Sequence, residues 1–242
     1  MNTSFKKDLV IFDFDGTIID RDSERAEIYL LPEEIYTSRL QKYQENPCNW
    51  IDFMNDIYSL MKEMNFTLKD MENALSQISL TIGIKELLEF LYQNKDKYET
   101  IIISNASTFN VDFLLDKYNI KNVFSQIYCN KSEIKNEMIY IHKNKEHQCK
   151  NCNPCRCKGE NLKDFLQEYK RETFNRILFV CDGVNDYCLA KNLKINDYVF
   201  PRMNFALWNI LTSDQERKDK IKCGIVPFNS ANEIIDFLKQ LN

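Results

Sequence analysis

Apolar runs of strand length recur along this chain with helical patterns between them, and that alternation restricts the fold more than any other property. Lys7 to Phe14 is the first run and ends at Gly16-Thr17, as a buried strand feeding a tight turn would. The pattern returns at Glu99 to Ser104 and Ile177 to Cys181, and more weakly at Val199-Phe200 and from Cys223 to Val226. Near-continuous apolar runs mark strands covered on both faces. Helical periodicity occupies Lys85 to Tyr92, Thr108 to Tyr118, Leu162 to Lys170, Asp186 to Leu193 and Ala231 to Leu241. Strands alternating with helices predict an α/β fold with a doubly wound, Rossmann-like parallel sheet.

Two stretches break the alternation. From about Glu24 to Glu89 the apolar residues keep helical spacing (Ile51, Met54, Ile57, Tyr58, Met61, then Leu68, Met71, Leu75, Ile78) with no strand signal, so a helical insert follows the first strand. Asn130 to Gly159 is irregular and rich in Lys, Asn and Cys, with Met138 to His142 suited to a short hairpin strand. The expected division is a core of residues 1–20 and 90–242, a helical insert of 21–89, and a Cys-rich loop at 145–158 within the core. Tyr29, Tyr36, Tyr43 and Trp50 of the insert have helical spacing and read as inner-face packing rather than as a cage for a cation. His142 reads as structural.

Charge and composition exclude several partners. Lys and Arg number 32 against 36 Asp and Glu, a net charge of −4, so no polybasic surface is offered to nucleic acid or anionic lipid. The longest apolar runs fall far short of the ~20 residues a membrane span needs. Lys6-Lys7 precede an apolar stretch, but Asp13 and Asp15 interrupt it where a signal peptide needs a longer apolar region. A cytoplasmic protein is expected.

The chemistry gathers at strand ends. Phe12-Asp13-Phe14-Asp15-Gly16-Thr17 sets two carboxylates two residues apart at the end of the first strand, the edge where open parallel sheets bind ligands. One such acid can attack as a nucleophile while the other handles a proton. Burying both is costly without a counter-cation, and oxygen ligands favour Mg²⁺. Cys181-Asp182-Gly183-Val184-Asn185-Asp186 repeats the logic after a later strand, with Asp186 also suited to cap a helix. Ser104-Asn105 ends the second strand, where a helix N-terminus can cradle phosphate.

Four of nine cysteines crowd into Cys149, Cys152, Cys155 and Cys157. His147, Cys149, Cys152 and Cys157 have spacing that fits tetrahedral Zn²⁺, with Cys155 as a competing fourth ligand. Reduced metal-free thiols and a disulfide or redox switch stay open beside it. Cys48, Cys129, Cys181, Cys188 and Cys223 are scattered and read as small core residues.

Asp-x-Asp-Gly-Thr, Ser-Asn after a strand, a Lys in the later insert, and Asp-Gly-x-Asn-Asp, in that order, resemble the haloacid dehalogenase-like phosphohydrolases. A closer resemblance is to the phosphoethanolamine/phosphocholine phosphatase family, whose vertebrate members include a proposed pyridoxal phosphate phosphatase. It rests on Thr17 to Glu24, on the Cys cluster running directly into Lys158, and on Val180 to Cys188 followed by Phe200-Pro201-Arg202. The resemblance implies a helical cap after the first strand and hydrolysis of a small phosphomonoester. It implies Asp13 as nucleophile, Asp15 as general acid and then base, and Ser104 and Lys158 on the phosphoryl oxygens. Mg²⁺ would sit between Asp13, the Asp15 carbonyl and Asp182, supported by Asp186. Glu24, Asn105, Gly183 and Asn185 are the substrate-binding candidates.

Two positions depart from that family. Asn105 stands where an Asp is usual, which leaves Glu24 as the main anionic contact for an ammonium group, and Gly16 follows the second acid as in more generic members. A pyridoxal phosphate or phosphoserine-type phosphatase is therefore the alternative. A catalytically silent binding module around a zinc-stabilised loop is the alternative of another class, and the intact set Asp13, Asp15, Lys158, Asp182 and Asp186 speaks against it.

Overall fold

The run that begins the sequence becomes the middle of the sheet. The structure is a computed structural model and describes residues 6–45, 50–144, 147, 149, 152 and 156–241. Its strands are β1 (Lys7–Phe12), β2 (Tyr98–Ser107), β3 (Gln126–Asn130), β4 (Ser132–Lys135), β5 (Met138–Ile141), β6 (Phe174–Cys181), β7 (Tyr198–Pro201) and β8 (Gly224–Ile225). Its helices are α1 (Ser23–Ile28), α2 (Glu33–Glu45), α3 (Trp50–Glu63), α4 (Leu68–Ser76), α5 (Ile84–Gln93), α6 (Thr108–Lys117), α7 (Lys158–Tyr169), α8 (Tyr187–Lys191), α9 (Ala206–Ser213), α10 (Gln215–Asp219) and α11 (Asn232–Leu241).

Six strands form one parallel sheet in the order β3-β2-β1-β6-β7-β8. The chain winds one way from β1 through β2 to β3, then returns to β6 and winds the other way. The direction changes beside β1, and a crevice opens there at the strands' carboxyl ends. Ile11 pairs with Ile101 on one side and Phe179 on the other. Alternation divides β1 between two cores: Val10 and Phe12 face α5, α6 and α11, whereas Leu9 and Ile11 face α7, α8 and α9. Each such aliphatic or aromatic side chain contributes about 1.5–3 kcal/mol on burial. That is why the strand is apolar without a break from Leu9 to Phe12.

The insert has a core of its own. Ile28, Ile51, Met54, Ile57, Met61 and Met71 from α1, α3 and α4 pack together with Met138, Ile139 and Ile141 of β5. The hairpin of β4 and β5 is therefore part of the same layer, fastened where Asn55 donates to the Ile141 carbonyl at 2.9 Å and accepts from its amide at 2.8 Å. By contrast α5, expected within the insert, packs Ile84, Leu87, Leu88 and Leu91 on the sheet with α11. Helical periodicity reports which face is buried and not which layer buries it. Strand β3, a half-exposed edge, and helices α9 and α10 have no counterpart in the sequence reading. Among the described residues no helix is long and apolar enough to cross a membrane.

Candidate active site

Asp13 continues the sheet's ladder for one more residue, its amide donating to the Val180 carbonyl at 3.0 Å, and its carboxylate accepts from the Phe14 amide at 2.7 Å. The chain then turns sharply at Gly16, where φ is +68°. A Cβ at Gly16 would lie 2.3 Å from an Asp182 carboxylate oxygen, so the turn requires glycine for its conformation and for its close approach to β6's end. Asp15 accepts from the Ser23 amide at 3.0 Å, which ties it to the start of α1. Arg202, beyond β7, clamps the loop by donating to the Gly16 carbonyl at 2.8 Å and to Asp20 at 2.5 Å. Its guanidinium lies 4.2 Å from the centre of the Phe205 ring.

Lys158 is the first residue of α7 and is wholly buried. Its ammonium lies 2.7 Å from Asp13 and 2.6 Å from Asp186. The other Asp186 oxygen accepts from the amides of Gly183 at 2.8 Å and Asp182 at 3.2 Å, so one carboxylate closes the turn after β6 and orients the lysine. Although burial opposes its charge, Asp13 and Asp186 hold the Lys158 ammonium above the usual lysine range. Burial, then the neighbouring Asp13, pushes Asp182 up to about 9 and Asp186 up to about 7. Burial, then Asp22 and Glu24, raises Asp15 well above the usual carboxyl range.

Oxygens of Asp13, Asp182 and Asp186 lie within 4.8 Å of one another. Three acids share one buried ammonium, and an oxygen-ligated divalent cation such as Mg²⁺ fits that surplus of negative charge.

These residues open onto a cavity of about 690 Å³. Asp13, Asp15, Glu24, Ser104, Asn105, Asp182, Gly183 and Asn185 all line it, and Lys158 and Asp186 lie buried beneath. The Ser104 hydroxyl accepts from the Ala106 amide at 3.1 Å, and it is Ser107, not Ser104, that caps α6. Glu24 is pushed up to about 8 by burial and by Asp22. The indole N–H of Trp50 donates to Glu24. Trp50 and Phe205 both line the cavity, and neither was singled out as a site residue from sequence. Helical spacing assigned Trp50 to packing; its N–H, which needs a polar partner when removed from water, was the available signal.

Behind Lys158 lies a second cluster. The sulfurs of Cys149, Cys152, Cys157 and Cys188 lie within 4.8 Å of one another, with Cys188 at 3.4 Å from Cys149 and 3.5 Å from Cys157. His147, expected as the fourth ligand, is not part of this group, and Cys188, expected as an ordinary core residue, is. The reason is topological: α7 packs on α8 and brings Cys188 up to Cys157 across 31 residues of sequence. Cys155 and Cys48 lie outside the described residues.

Paired acids at the carboxyl end of a parallel sheet, beneath a helical layer, suit a nucleophilic and acid–base reaction at a phosphoryl group. The fold matches a substrate-bound phosphoserine phosphatase at a TM-score of 0.61, with 19% identity and coverage of 96% of this chain and 99% of the other. The bovine (Bos taurus) pyridoxal phosphate phosphatase PHOSPHO2 is 30% identical over 238 residues, covering 97% of this chain and 98% of the relative. The chicken (Gallus gallus) phosphoethanolamine/phosphocholine phosphatase is 29% identical over 241 residues, covering 97% and 89%. The chain belongs to the family described as "Putative Phosphatase", whose family model matches residues 8–242.

Proposed function

We propose that the chain hydrolyses a small phosphomonoester with an ammonium-bearing leaving group, of the phosphoethanolamine or phosphocholine kind, in a Mg²⁺-dependent reaction through an aspartyl-phosphate on Asp13. The observation that carries the choice of leaving group is Glu24 on the cavity wall with the Trp50 indole beside it. Asp20 and Asp22 line the cavity as well but are paired with Arg202 and Arg25, which leaves Glu24, with the Trp50 N–H donating to it, as the carboxyl available to a cation. An ammonium gains from carboxylates and from an aromatic face together.

Asp13 attacks phosphorus as the ester P–O bond breaks, and Asp15, held protonated by burial, delivers its proton to the departing alkoxide. Asp15 then takes a proton from water, whose oxygen attacks phosphorus and frees Asp13 and inorganic phosphate. Ser104 and the Lys158 ammonium hold the phosphoryl oxygens while charge builds on them. Asp13, the Asp15 carbonyl and Asp182 would hold Mg²⁺, with Asp186 supporting, and the ion would supply Lewis-acid stabilisation of the phosphoryl group. Asn105, Gly183 and Asn185 border the substrate. A thiophilic ion such as Zn²⁺ at the sulfur cluster would serve structure and enters none of these steps. A reducing compartment, the cytoplasm, suits the seven described cysteines, all of them free thiols.

Pyridoxal phosphate is the second reading, favoured by the aromatic side chains of Trp50 and Phe205 in the cavity lining. Phosphate release with Mg²⁺ across phosphoethanolamine, phosphocholine, pyridoxal phosphate, phosphoserine and p-nitrophenyl phosphate tests both. A preference of about 10²-fold in kcat/KM for the aminoalcohol esters is expected, and a pyridoxal-favouring profile would overturn it for the second reading. Asp13→Asn is expected to abolish turnover with the circular dichroism unchanged; undiminished turnover would remove the aspartyl-phosphate mechanism.

A further inference from the structure

The sulfur cluster is built from three pieces of chain that nothing in the phosphatase chemistry requires to meet. Cys149 and Cys152 lie between β5 and α7, Cys157 immediately precedes α7, and Cys188 lies in α8. A tetrahedral tetrathiolate with metal–sulfur bonds of about 2.3 Å holds its sulfurs about 3.8 Å apart. The separations of 3.4 and 3.5 Å about Cys188 lie near that value and far from the roughly 2.05 Å of a disulfide.

The surrounding backbone is arranged for sulfur as well. The Gly159 amide donates to Cys188, and the Glu160 amide donates to Cys157. Gly159 itself is where α7 and α8 touch: a Cβ there would stand 2.9 Å from the Cys188 sulfur and 3.3 Å from its carbonyl oxygen. Backbone N–H groups directed at sulfur favour the thiolate over the thiol, and thiolates are what a soft divalent ion binds.

We propose that Cys149, Cys152, Cys157 and Cys188 form a structural Zn²⁺ site that joins the segment carrying Lys158 to the segment carrying Asp186. Cys157 is the residue before Lys158, and Cys188 is two residues after Asp186. One ion thus fixes the chain on both sides of the pair that meets at 2.6 Å and directs the ammonium at Asp13. Four protein ligands close the coordination shell and leave no position for substrate, as in structural rather than catalytic zinc sites. The four-sulfur set differs from the one that sequence spacing alone selects, because Cys188 arrives only through the packing of α7 on α8.

Elemental analysis of the full chain, purified without chelator from zinc-supplemented cells, tests the site independently of turnover. About one Zn per chain is expected, and less than about 0.2 Zn per chain, or iron in place of zinc, overturns the assignment. Replacement by Co²⁺ is expected to give the charge-transfer and d–d bands of a tetrahedral tetrathiolate, unchanged in His147→Ala; a spectrum altered by His147→Ala shows that the four-cysteine set is wrong. Cys188→Ser is expected to lower zinc content about fivefold. Should that variant not fold, the zinc content and the cobalt spectrum of the unaltered chain still decide the matter. The phosphatase reading stands or falls on the substrate panel and Asp13→Asn, not on metal content.

Discussion

Replacing Lys158 by Met removes one buried positive charge and almost no volume. The ammonium lies 2.7 Å from Asp13 and 2.6 Å from Asp186 with no exposure, and Asp182 stands within the same group of acids. Removing one partner of a buried ion pair costs about 3–5 kcal/mol, because the remaining charge is left without compensation. Lys158→Met should therefore lose about that much stability near pH 8. The folded variant can limit the cost only by binding protons on the carboxyls that have lost their partner. Their folded pKa values rise further above the unfolded ones, so the variant's stability falls as pH rises. Each additional bound proton changes the difference by about 1.4 kcal/mol per pH unit. With Asp186 at about 7 beside Lys158, the unaltered chain takes up that proton itself between about pH 8 and about pH 6, so the variant's excess averages about half a proton and the penalty shrinks by roughly 1–2 kcal/mol. Urea unfolding of both proteins at the two pH values, followed by near- and far-ultraviolet circular dichroism, measures this directly. A difference below about 1 kcal/mol at the higher pH, or one that does not shrink on acidification, refutes the charge argument. Turnover should fall by about 10²-fold or more, as for loss of a donor to a transition-state oxyanion.

Three further outcomes follow from the same geometry. Gly16→Ala should destabilise the chain by about 1–2 kcal/mol through its positive φ alone and depress kcat, because its Cβ would displace the Asp182 carboxylate 2.3 Å away; an alanine variant of unchanged kcat contradicts that reading of the turn. Glu24, at about 8, is protonated below that pH and ionised above it, so binding of phosphocholine relative to p-nitrophenyl phosphate should strengthen as pH rises through 8 and level about one unit above it, and Glu24→Gln should flatten the profile. Glu27, buried behind it with Tyr58 donating at 2.6 Å and Asn110 at 3.1 Å, is pushed up to about 8 by burial, so it favours folding least above that pH and most below the unfolded value. Glu27→Gln should raise the melting temperature above pH 8 and lose that advantage near pH 5; a constant difference would show that ionisation is not the cause.

What could be read in the sequence was what adjacent residues decide. Lys7 to Phe12 announces a doubly covered strand because its last four residues, Leu9 to Phe12, are all apolar, and the acids after it stand at the strand's end wherever that strand pairs. Asp182 to Asp186 is equally local, a turn closed by its own last carboxylate. The rest depended on which element lies against which. The edge strand β3 carries Gln, Tyr and Asn among its five residues and has no apolar run to announce it. Trp50 and Phe205 reach the cavity from opposite ends of the chain. Cys188 is an unremarkable thiol until α7 is laid on α8, and His147 has ligand spacing without being among the sulfurs that converge.

The cap's attachment constrains its mechanics. The insert leaves the sheet through a stem closed on itself, Asp20 donating to Ser79 at 2.9 Å and Thr81 to Ile18 at 3.0 Å. The hairpin leaves through another, His142 donating to Lys131 at 2.8 Å. Two separated stems joined by one apolar layer, with Lys117 of α6 also donating to the Ser76 and Ile78 carbonyls, make the insert and the hairpin one mechanical body. Any cap transplanted from a relative as the single cassette after β1 would leave Met138, Ile139 and Ile141 facing a foreign surface. Exchanging substrate preference within this architecture therefore means exchanging the insert and the hairpin together.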